Sequence, residues 1–99
     1  MVKHIVLFKL QDSVSCSEAE PFLKALQTKF HGLMGEIPSL RSIEVGINAN
    51  PSEKFHLSLT ATFDDMEGLN AYATDPRHVA IGKELRTKLD ARSCVDYII

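Results

Sequence analysis

Three histidines and a tyrosine are the side chains of this sequence best suited to handle a proton: His4, His56, Tyr72 and His78. Each alone is an ordinary residue, and their interest lies in whether one cavity gathers them. Asp75 and Pro76 read as the cap and first position of a helix, which places His78 third in it. Unpaired backbone N–H groups and the helix dipole disfavour positive charge there, so the imidazole is expected to stay neutral near pH 7 and to be able to act as a base. Asp75 either caps that helix or orients the ring, and its position favours capping. Ser58 stands two residues from His56 without an elbow or oxyanion motif, and reads as a polar lining residue rather than a nucleophile. A metal held by His4, His56 and His78 lacks the i, i+4 or Cys-x-x-Cys spacing of familiar sites, and no metal is expected.

The elements that must position these groups follow from hydrophobic periodicity. Residues 2–10 alternate with a period of two, but both faces carry apolar side chains: Val2, Val6, Phe8 and Leu10 with His4 on one, Ile5 and Leu7 on the other. Ser17 and Glu20 have capping-box spacing and Pro21 suits a first turn, so a helix is predicted from there to about Gly35. Ile43, Val45 and Ile47 alternate as a half-buried strand, and residues 48–54 make a turn. Phe55, Leu57, Leu59, Ala61 and Phe63 form one face of a third strand, with His56, Ser58, Thr60 and Thr62 on the other. Asp64 with Glu67 signals a short helix that Thr74 and Asp75 interrupt. The helix from Pro76 is predicted to reach about Ala91, with a last strand over 94–99.

The order β-α-β-β-α-β, its second helix broken near Asp75, is the ferredoxin-like α+β arrangement: a four-stranded antiparallel sheet with helices on one face, one domain over residues 1–99. One sheet face is left bare. If Ile5 and Leu7 meet the helices, Val6, Phe8 and Leu10 are exposed unless a second copy covers them, and two such sheets close into an eight-stranded barrel. On that reading His4, His56, Val6, Phe8 and Ser58 line a cavity for a small, partly hydrophobic molecule, with Tyr72 and His78 at its rim.

Composition removes other classes. Eleven Lys and Arg against thirteen Asp and Glu, with no basic run, offer nothing to nucleic acid or an anionic membrane. Cys16 and Cys94 have no ligand spacing and read as free thiols. The early apolar run is too short for a signal core or a membrane span, so a cytoplasmic protein is the expectation.

The opening Val2-Lys3-His4-Ile5-Val6-Leu7-Phe8-Lys9-Leu10, the run Tyr72-x-x-Asp75-Pro76-x-His78-Val79 and the closing Val95-Asp96-Tyr97 together resemble the stress-responsive A/B barrel (Dabb) family. The resemblance spans essentially the whole chain and implies a homodimeric α+β barrel. Within the family the sequence is similar to plant polyketide cyclases. That implies an aldol-type ring closure without cofactor, with His78 removing a proton beside a carbonyl, Tyr72 hydrogen-bonding the substrate, and His4 and His56 in the pocket. Asp75 departs from the His-Pro-x-His of the cyclase-like run.

Overall fold

Strand β1 (Val2–Leu10), which carries apolar side chains on both faces, is one of the two inner strands of the sheet. In the computed structural model, which describes residues 1–99, it pairs with β3 (Leu57–Phe63) on one side and β4 (Leu89–Ile98) on the other, both antiparallel. Strand β2 (Ser42–Ile47) completes the order β2-β3-β1-β4. Helices α1 (Cys16–His31), α2 (Met66–Thr74) and α3 (Pro76–Arg86) supply the remaining elements. This is the ferredoxin-like α+β fold expected from the sequence.

The side of β1 that meets the helices is the opposite of the one anticipated. Val2, His4, Val6, Phe8 and Leu10 are buried in the core, with Leu57, Leu59, Ala61 and Phe63 of β3 and Leu26 and Phe30 of α1. Ile5 and Leu7 share the uncovered face with Lys3 and Lys9. The bulkier set goes where most apolar area leaves water, and the two lysines keep their ammonium groups wet on the other side. An uncovered apolar face survives the reversal, with different members: Ile5, Leu7, Val95 and Tyr97, flanked by Ser58, Thr60 and Thr62.

The helix ends are set by side-chain caps. Ser15, two residues before the expected cap, accepts from the Glu18 amide at 3.2 Å, so Pro21 falls inside α1 rather than in its first turn. The helix ends at His31 rather than near Gly35. Gly35 has φ 86°, a left-handed turn that suits glycine. Asp65, not Asp64, caps α2 through the Gly68 amide, while Asp64 forms a two-point bond with Arg41 at 3.0 and 2.6 Å.

The last strand begins five residues earlier than expected. Helix α3 stops at Arg86 with Thr87 as its cap, and β4 runs beside β1 from Leu89, opposite Leu10, with a register shift at Lys9/Leu10. A nine-residue inner strand exposes a row of backbone donors and acceptors, and satisfying them outweighs the weak helical periodicity of residues 87–91. This early start adds Arg92, opposite Phe8, to the row that Cys94 and Asp96 form opposite Val6 and His4 on the helix side of the sheet.

Candidate functional site

One residue joins two helices and thereby sets the distance between two candidate groups. Asp75 closes α2 and opens α3: its carboxylate accepts from the Arg77 amide at 2.9 Å and grips the Arg77 guanidinium at 3.0 and 2.9 Å. These bonds hold its carboxyl down at about 2 and engage both of its oxygens with Arg77, so capping, not a hydrogen bond to the His78 ring, is its role. Tyr72 in the last turn of α2 and His78 in the first turn of α3 then meet, ring centroids 4.3 Å apart.

His78 is half-buried, and its Nδ1 lies 3.1 Å from the Ala73 carbonyl. A carbonyl only accepts, so Nδ1 carries the hydrogen and Nε2 is the free proton acceptor of the neutral ring. Burial lowers the imidazole below its ordinary value of 6.5. The charges of His4 and Arg92 add to this, and the Ala73 carbonyl and Asp75 oppose it. The neutral form anticipated from the sequence is thus favoured, with desolvation rather than the helix terminus as the leading cause.

Tyr72 is almost fully buried, and its hydroxyl has no hydrogen-bonding partner within the chain. Burial pushes its pKa up, so it remains a phenol and a donor. Phe63 packs on it at 5.1 Å and His4 edge-on at 6.4 Å between ring centroids. His4 in turn is bound to Asp96 of β4, Nδ1 to Oδ1 at 2.5 Å, with Cys94 Sγ 3.6 Å from the same nitrogen. These three residues bring ligand-type atoms within 4.8 Å of one another, but His4 and Asp96 are bonded to each other.

The remaining candidates are not gathered here. His56 precedes β3, and its Nδ1 accepts from the Leu10 amide at 3.1 Å while its own amide donates to Phe8. It braces the far end of β1, about 20 Å of strand from His4, and lines a separate hollow with Val14, Cys16 and Leu23. The trio His4, His56 and His78 is therefore not assembled. Ser58 pairs with Leu7 on the uncovered face, where it lines a different groove with Phe55. Val6 is core, and Phe8 stacks on Phe30 at 6.4 Å.

Phe8 does reach a cavity, but one beneath α3 rather than between two sheets. This space of about 150 Å³ is bounded by Phe8, Phe30, Leu59, His78, Arg86 and Arg92 among others. Sequence reasoning missed Asp96, Arg86 and Arg92. For Arg92 the available signal was its alternation with Cys94 and Asp96, hidden because a strand expected from Cys94 leaves Arg92 out; Asp96 lies within the expected strand and Arg86 within the expected helix, and nothing local marks either as part of a site.

Comparison with known proteins agrees with this architecture. A crystal structure of a dimeric protein of unknown function with a ferredoxin-like fold, from Bacteroides fragilis, superposes with a TM-score of 0.96 at 42% identity, covering 99% of this chain and 95% of that one. An uncharacterised protein of Streptomyces coelicolor is 33% identical over 91 residues, 88% of this chain and 92% of its own. Olivetolic acid cyclase of Cannabis sativa is 25% identical over 99 residues, 97% and 94% of the two chains. Residues 2–99 match the model of the stress responsive A/B barrel domain. With the fold, the element order and this match in agreement, the chain belongs to the stress-responsive A/B barrel family.

Proposed function

We propose that the chain acts as a homodimer and that each protomer binds a small, partly apolar molecule in the cavity beneath α3, with His78 as proton acceptor. The observation that carries this is the contact of His78 Nδ1 with the Ala73 carbonyl at 3.1 Å: a carbonyl only accepts, so Nδ1–H is committed there and Nε2 is left as a base on a ring that lines the cavity. The uncovered apolar face of β1 and β4 supports pairing, as does the dimeric state of the Bacteroides fragilis protein.

A second reading, a cofactor-independent cyclase-type lyase, is favoured by the buried, partnerless hydroxyl of Tyr72 beside His78 and by the likeness to olivetolic acid cyclase. In it, Nε2 of His78 removes a proton from carbon beside a carbonyl, and the enolate oxygen accepts a hydrogen bond from Tyr72. The enolate carbon attacks a second carbonyl of the same molecule, forming the ring bond. The resulting alkoxide takes the proton back from His78. Atoms balance without cofactor.

Two measurements test these readings. Native mass spectrometry of the purified protein is expected to show a co-purifying small molecule, lost in His78→Ala. With 2,6-heptanedione as a model diketone, the cyclase reading expects accelerated aldol closure, with His78→Ala lowering the rate by about a hundredfold or more while circular dichroism stays unchanged. Unaltered turnover in His78→Ala would remove His78 from the mechanism. Absence of both bound molecule and turnover would leave a barrel protein whose interior is occupied by its own side chains.

A further inference from the structure

We propose that the cavity beneath α3 is built for an organic acid: a carboxylate on an apolar body about the size of one ring, with Arg86 and Arg92 receiving the charge. The inference rests on the reading of the His78 cavity as a ligand site and adds the chemical class of its occupant.

Charge bookkeeping within the chain points to it. Of the four arginines, Arg41 is bonded to Asp64, and Arg77 to Asp75 and Glu36. Arg86 and Arg92 are bonded to no carboxylate, and both line the cavity. The acidic side chains closest to them in sequence are committed elsewhere: Glu84 to Lys29, Asp90 to Lys9, Asp96 to His4. No acidic residue lines the cavity, so its walls present two guanidinium groups and an imidazole with no compensating negative charge.

The rest of the lining describes the body of the ligand. Phe8, Phe30, Leu59 and Leu85 are buried and apolar, with the rings of Phe8 and Phe30 stacked on each other. Arg86 and Arg92 are the exposed members of the lining and so mark its mouth. A volume of about 150 Å³ is the scale at which an apolar protein cavity accepts benzene. A planar guanidinium pairs with a carboxylate through two parallel hydrogen bonds, a recognition lysine does not reproduce. An acid seated this way has its charge at the mouth and its apolar part inside, along the wall that carries His78.

Isothermal titration of the intact protein with benzoate, and with benzyl alcohol as a neutral ring of similar size, tests the assignment. Both arginines are exposed, so Arg86→Met and Arg92→Met are expected to fold. Benzoate should bind at millimolar concentration or below, more tightly than benzyl alcohol, and each substitution should weaken benzoate about tenfold while leaving benzyl alcohol unchanged. If benzoate binds the double variant as well as the parent, or no better than benzyl alcohol, the organic-acid assignment falls while the cavity stands as a ligand site. If neither ring binds, the ligand-site reading falls with it.

Discussion

The hydroxyl of Tyr72 is buried without a partner in the chain, and that burial has a cost. A hydroxyl removed from water without a partner loses about 1–3 kcal/mol of hydration that the fold does not return. Tyr72→Phe is therefore expected to hold or raise the melting temperature, while lowering turnover on any substrate the site accepts; a clear fall in melting temperature would mean the hydroxyl is bonded in the folded state. His78 makes the opposite kind of statement, through pH. Its folded pKa is depressed below 6.5, so as pH falls through 6.5 the unfolded chain takes a proton that the folded chain does not, and stability declines until the folded pKa is passed. Urea denaturation at neutral and mildly acidic pH should show this loss, and His78→Gln should shrink it. Above 6.5 the ring is neutral in both states and the two proteins should respond to pH alike.

At the scale of elements, the junction of α2 and α3 positions the two aromatic groups of the candidate site. Tyr72 and His78 are six residues apart and touch only because Asp75 breaks one helix and starts the next at an angle. Asp75→Ala removes the acceptor for the Arg77 amide and is expected to lower both the melting temperature and any activity. Asp75→Asn keeps a capping oxygen and should retain most of each; equal loss in both variants would assign the effect to the Arg77 ion pair rather than to the cap. The junction was readable beforehand, since Asp-Pro at a helix start is a local signal decided within one turn. The end of α3 was not, because the start of β4 depends on pairing with a strand some eighty residues away.

For the whole molecule, the reversal of β1 changes which substitution should split the proposed dimer. Phe8 sits in the core, so Phe8→Asp should unfold the protomer rather than separate two of them. Leu7→Asp and Val95→Asp lie on the uncovered face, 38% and 54% exposed. By light scattering each should convert a species of twice 11.0 kDa into a folded monomer. A parent protein that is already monomeric at micromolar concentration, or variants that remain dimeric, would remove this face as the contact. Because the His78 cavity lies under the helices of a single chain, a folded Leu7→Asp monomer should keep its ligand affinity.

What residues 1–99 reveal without coordinates are the features that neighbouring residues settle among themselves. The clean alternation of β3, the cap at Asp75, the placing of His78 in a first turn and the element order that defines the fold all rest on dihedral preferences and hydrogen bonds spanning a few residues. The contacts that make a site out of them are long-range. His4 meets Asp96 across 92 positions because β1 and β4 share a register, and Arg92 reaches the wall opened by Phe8 for the same reason. Which face of β1 is covered was ambiguous because Val6 and Phe8 compete with Ile5 and Leu7 for one set of helices. That contest is settled by total apolar area buried, a sum over the folded chain that no local stretch contains.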